Sequence, residues 1–145
     1  MLEVTQERTG WRDEELSKRH RKWGWDCPVV DIDLLMVEYN FGKPIALVEY
    51  KKHNAPVPMF NHPTYKALCE LANADKLPFF IAVYWPDIWA FKIIPVNDIS
   101  KKYFNPDVTY TERQYVESLY SLRSRMIQNT VLEELNSILP SGYNV

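Results

Sequence analysis

The chain has 145 residues, a formal net charge of −2, and 46% hydrophobic and 25% charged residues. That is one domain's length and an ordinary globular composition, and the charge balance excludes a protein that coats nucleic acid by bulk positive charge, though not one with a local basic groove. No apolar run reaches membrane-spanning length, the charged N-terminal stretch has no signal-peptide pattern, and Cys27 and Cys69 fit no metal-ligand spacing; the expectation is a cytoplasmic protein with two reduced, buried thiols.

The first predicted element is a charged helix over residues 12–22. Asp13, Glu14 and Glu15 open it and Lys18, Arg19, Arg21 and Lys22 close it, an order that complements the helix dipole. Trp23-Gly24-Trp25 ends it, and residues 26–32 leave space for a short irregular strand. Residues 31–52 read as a β-hairpin. One apolar run is Leu34-Leu35-Met36-Val37, the other is Pro44-Ile45-Ala46-Leu47-Val48, and the turn signal Asn40-Phe41-Gly42 lies between them.

A loop containing Pro56 and Pro58 leads to Pro63, which suits a first helical position. The helix it opens runs to about residue 74, with Tyr65, Leu68, Cys69 and Leu71 or Ala72 as its apolar stripe. Residues 77–85 and 88–94, on either side of Pro86-Asp87, read as a second hairpin. Residues 95–110 are a connector with a short helical turn. Thr111-Glu112-Arg113-Gln114 is a capping box opening a long helical segment over about 111–139. Its apolar positions are Tyr115, Leu119, Leu122, Met126 and Ile127, resuming at Val131, Leu135 and Ile138, with Asn129-Thr130 as a break point. The order helix, hairpin, helix, hairpin, helix predicts a single α+β domain in α/β/α layers.

The first hairpin carries the chemistry. Glu49-Tyr50-Lys51 closes an apolar strand, and Asp31-Ile32-Asp33 leads into its partner. With a three-residue loop and Gly42 left-handed, Tyr39 faces Lys43, Asp33 falls opposite Glu49, and Asp31 opposite Lys51. Residues two apart share a face, so all four charged side chains project from one side. A one-residue slip separates the aspartates from Glu49 and Lys51. Charges emerging from so apolar a strand need partners or a cation.

An aspartate leading one strand and an acid-x-lysine triplet ending the next, with a helix on either side, resembles the core motif of the PD-(D/E)xK nuclease superfamily, which includes restriction endonucleases and Holliday-junction resolvases. The resemblance covers roughly residues 12–94. It departs from the family pattern in that Ile32, not proline, precedes Asp33; the nearest proline is Pro28. It implies a restriction-endonuclease-like core, with a central mixed sheet flanked by helices and followed by the long C-terminal helical segment. It also implies a metal-dependent nuclease acting on DNA, with Asp33, Glu49 and Lys51 catalytic.

The residue chemistry agrees. Mg²⁺ or Mn²⁺ takes one or two carboxylates and keeps waters and a phosphate oxygen, which Asp33 and Glu49 can supply. Lys51 can orient or deprotonate the attacking water or offset developing charge, whereas an arginine cannot give up its proton. Asp31 is a second metal ligand, the partner of Lys51, or a solvated acid. Glu15 is a metal-side acid of the kind this family draws from its first helix, or a helix-dipole residue. Lys18, Arg21, Lys22, Lys52 and Lys66 are candidate phosphate contacts. Trp23 or Trp25 can stack on a base. An inactive nuclease-fold module that binds nucleic acid or protein is the alternative, and an unrelated α+β adaptor domain the third. A homodimer is compatible with cutting both strands.

Overall fold

The computed structural model describes residues 13–56, 60–124 and Glu133. Among these residues, five strands form one mixed sheet, in spatial order β1 (Leu34–Glu38), β2 (Lys43–Lys52), β3 (Phe79–Trp85), β4 (Ala90–Pro95) and β5 (Thr109–Tyr110). β2 and β3 are parallel, and the other neighbours are antiparallel. The helices are α1 (Glu14–Trp23), α2 (Pro63–Ala74) and α3 (Glu112–Leu122). The fold is therefore α+β. A parallel pair needs a crossover, and α2 is that crossover between β2 and β3.

The central strands read as continuous apolar runs because both faces are covered. Val48 and Tyr50 of β2 and Phe80, Ala82 and Tyr84 of β3 pack with Tyr115, Leu119 and Leu122 of α3. Leu47, Phe79, Ile81 and Val83 point the other way and pack with Tyr65, Leu68 and Ala72 of α2. This alternation decides which side of the sheet each charged residue occupies. β1 is an edge strand with alternating burial, so Leu35 and Val37 remain exposed.

The helix ends follow their local chemistry. Asp13 caps α1, its Oδ1 accepting from Leu16 N at 3.0 Å. His62 caps α2 ahead of Pro63, and its Nδ1 accepts from Thr64 N at 3.2 Å. The expected capping box opens α3: Gln114 N donates to Thr111 Oγ1 at 3.2 Å, and Thr111 N donates to Gln114 Oε1 at 2.9 Å. At the far end, Arg123 grips Glu38 of β1 with two hydrogen bonds, at 2.7 and 3.1 Å.

Several boundaries differ from the sequence reading. Residues 26–32 form no strand, and β1 begins at Leu34, so Asp31 and Asp33 precede it. The connector holds a 3-10 turn at Ser100–Lys102 and the short β5. Cys27 is exposed and Cys69 half-buried, both free; Cys27 lies in the irregular stretch after α1, where no core covers it. The helical continuation expected to residue 139 falls, apart from Glu133, outside the described residues beyond Ser124. Among the described residues, no helix is long and apolar enough to cross a membrane.

Candidate active site

The hairpin reaches the expected register by an unexpected route. Glu38, not Tyr39, pairs with Lys43, and residues 39–41 make a 3-10 turn closed by Gly42 at φ 59°. The left-handed Gly42 is as expected, but the loop is one residue longer. A β-bulge then intervenes: Val37 pairs with Pro44 and Met36 with Ala46, leaving Ile45 as the extra residue. Pro44 has no N–H to give the ladder, and bulges accommodate proline. The longer loop and the bulge cancel. Pairing runs on to Leu34 with Val48, and one step beyond, that register sets Asp33 opposite Glu49.

Asp33 is held there by its side chain. Its Oδ2 accepts from Tyr50 N at 3.2 Å, taking the place of a ladder carbonyl. Glu49 and Lys51 lie on the α2 side of β2, flanked by Ile81 and Val83 of the parallel β3. Lys51 Nζ is 3.5 Å from Glu49 Oε1, and the Glu49 side chain is only 17% exposed. Among the described residues, Glu49 Oε2 is a buried oxygen without a hydrogen-bond partner.

Tyr65, in the first turn of α2, faces the same acids. Burial, hydrogen bonding to Glu49, and the charges of Glu49 and Asp33 together push its hydroxyl up to about 12. Tyr65 packs in the apolar stripe as expected, and its coupling to the acids was not expected from the sequence. The available signal was a tyrosine, where leucine would serve packing alone, at the start of the helix after the triplet strand. The site thus lies at the carboxyl ends of parallel strands beside the start of the crossover helix, where open α/β layers commonly bind ligands.

The remaining candidates separate. Asp31 does not face Lys51 in a strand ladder, since the chain there is irregular, and Lys51 pairs with Glu49 instead. Asp31 and Asp33 line a cavity of about 430 Å³ beneath α1 with Asp13, Leu16, Ser17 and His20. Glu15 is exposed and off that helix face; the first-helix acid nearest the cavity is Asp13. Arg21 lines a second cavity of about 620 Å³ that also contains Asp31. Lys18, Lys22, Lys52 and Lys66 are exposed, as are Trp23 and Trp25, and Trp23 packs edge-on against His20 at 4.9 Å.

Among the described residues, no three His, Cys, Asp or Glu side chains converge as a metal-binding group. Asp31, Asp33, Glu49 and Glu15 therefore do not form one acid cluster. Comparisons with protein-family models, curated proteins and solved structures give no match.

Proposed function

We propose that this protein is a Mg²⁺- or Mn²⁺-dependent nuclease that hydrolyses phosphodiester bonds of DNA through Asp33, Glu49 and Lys51. The observation that carries the reading is Glu49 Oε2, buried and, among the described residues, without a hydrogen-bond partner, on the carboxylate beside Lys51. A buried carboxylate oxygen without a donor is costly, and a cation is the partner that removes the cost. The order of hairpin, crossover helix and parallel strand supports a restriction-endonuclease-like core.

Asp33 and Glu49 would hold the ion; two carboxylates suffice for Mg²⁺, which completes its shell with water and phosphate oxygens. A bound divalent ion polarises the phosphoryl oxygens and acidifies water. The chain's own groups account for the remainder. Tyr50 N fixes one Asp33 oxygen, which orients the other. Tyr65 of α2 is electrostatically coupled to Glu49, whose charge helps to raise its hydroxyl. Lys51, beside Glu49, would offset charge building on the transferring phosphoryl group or, once deprotonated, take a proton from water.

The test is cleavage of end-labelled single-stranded, duplex and branched DNA with Mg²⁺, Mn²⁺ or chelator, repeated on Glu49→Ala. Cleavage that requires metal and vanishes in Glu49→Ala is expected. Metal-independent cutting, or full activity in Glu49→Ala, would refute the assignment. Binding without cleavage under every condition would leave the inactive module as the reading.

A further inference from the structure

Beyond Lys51, the same sheet face ends in two stacked rings. His53 and Trp85 lie with centroids 5.6 Å apart and planes 10° from parallel. Val83 pairs with Lys51, and Trp85, two residues on, shares its face. The stack therefore stands about 7 Å past Lys51 along the strands. His53 is exposed and Trp85 half-buried, so the imidazole is the solvent-side member of the stack.

Holding the turn does not require the imidazole. His53 N donates to Tyr84 O at 2.9 Å, and Ala55 N donates to Lys52 O at 2.8 Å, so backbone bonds already hold the turn at residues 52–55. The imidazole is thus a ring that a rigid scaffold presents next to a candidate phosphate site. We infer that the His53–Trp85 stack is a platform for one unpaired nucleobase of the strand whose phosphate lies at Lys51, so that the substrate is single-stranded or frayed nucleic acid rather than continuous duplex. Bases inside a duplex have both faces covered by neighbours and cannot add to a protein stack. An unpaired base can, whatever its identity, because every base has a π-face. The choice of ligand rests on the nuclease reading; the position and openness of the platform do not.

Fluorescence anisotropy of a labelled oligothymidylate and of a blunt duplex of equal length, both in chelator so that nothing is cut, tests the inference. Wild-type protein is expected to prefer the single strand. His53→Ala should weaken single-strand binding about tenfold and leave duplex binding unchanged, while His53→Phe, which keeps a flat ring, should stay within about twofold of wild type. Equal single-strand binding by wild type and His53→Ala overturns the platform, as does equal loss in His53→Ala and His53→Phe, or no oligothymidylate binding by wild type. Metal-dependent cleavage is read on separate samples. A failed platform therefore leaves the nuclease reading standing, and a failed cleavage assay leaves the binding result intact.

Discussion

Asp33 Oδ2 accepts a hydrogen bond from Tyr50 N across the hairpin at 3.2 Å. The bond ties the leading aspartate to the middle of the triplet and leaves its second oxygen for other work. Asp33→Asn keeps an acceptor for Tyr50 N but removes the charge, so its stability should match wild type within about 0.5 kcal/mol, whereas Asp33→Ala should lose about 1 kcal/mol. Wild-type protein should gain about 1.4 kcal/mol from Mn²⁺ at ten times its Kd, and both variants should lose most of that gain. Urea unfolding with and without Mn²⁺ measures both. A full metal effect in Asp33→Asn would remove Asp33 from the ligand set.

Asn97 should be a stability hot spot with no part in the chemistry. It is 5% exposed. Its Oδ1 accepts from Phe79 N and Ser100 N at 2.9 and 3.1 Å, and its Nδ2 donates to Leu77 O and Asn73 Oδ1 at 2.8 and 3.0 Å. One amide thus joins the end of α2, the start of β3 and the connector after β4. Asn97→Ala leaves several of these groups unpaired and should cost about 3 kcal/mol, seen as a lower urea midpoint with an unchanged slope. A loss below about 1 kcal/mol would mean that water replaces the amide.

These two residues also mark how far the sequence could be read. The pairing of Leu34 with Val48, which extended by one step sets Asp33 opposite Glu49, was accessible because side-chain alternation is a strict period of two, and α2 and α3 announced themselves through Pro63 and the Thr111 capping box. The expected register nevertheless arises from two compensating differences: the loop is one residue longer than Asn40-Phe41-Gly42, and the bulge at Ile45 restores the phase. Pro44 was the visible hint, as a residue unable to donate. Asn97 looked like any polar turn residue, because its burial depends on contacts 18 to 24 residues away. β5 is two residues long and leaves no periodicity to read. Where Glu15 and Asp31 stand relative to Glu49 was not legible for a shared reason: helix rotation and irregular chain direction are set by tertiary packing, and α1 buries no residue to announce its facing.

Alkaline stability should report on Tyr115. Its hydroxyl lies 2.6 Å from that of Tyr50, and its ring stacks on Phe91 with centroids 4.3 Å apart. Burial, then the charge of and hydrogen bond to Tyr50, raise its pKa above the ordinary value of 10.0. With the folded pKa raised, the unfolded chain ionises first. The contribution is complete below pH 10.0 and is lost as pH climbs above it, by up to about 1.4 kcal/mol per pH unit. Tyr115→Phe should cost about 1 kcal/mol at neutral pH and flatten the fall above pH 10.0. Burial raises Tyr50 too, so some slope should remain. Urea midpoints from pH 8 upward that fall equally in both proteins would show that Tyr115 does not control this limb.

Lys51→Ala should separate catalysis from binding on the nuclease reading. Its ammonium stands 3.5 Å from Glu49 Oε1, on the face that carries both candidate ligands, while Lys18 and Lys22 are exposed on α1. Lys51→Ala removes one cation among several, so DNA affinity should fall by no more than one phosphate contact's share. The ion pair is loose and 35% of the lysine side chain is exposed, so the fold should lose less than about 1 kcal/mol. On the nuclease reading the same group would act where charge develops in the transition state, and losing one preorganised group there typically costs about a hundredfold or more in rate. Replacing Lys18 and Lys22 together should do the reverse, weakening binding and flattening its salt dependence while sparing the rate at saturating enzyme. Single-turnover cleavage at saturating protein, paired with anisotropy in chelator, reads the two effects apart. Cleavage by Lys51→Ala at the wild-type rate would show that the triplet does not act as a nuclease motif, whatever Asp33 and Glu49 bind.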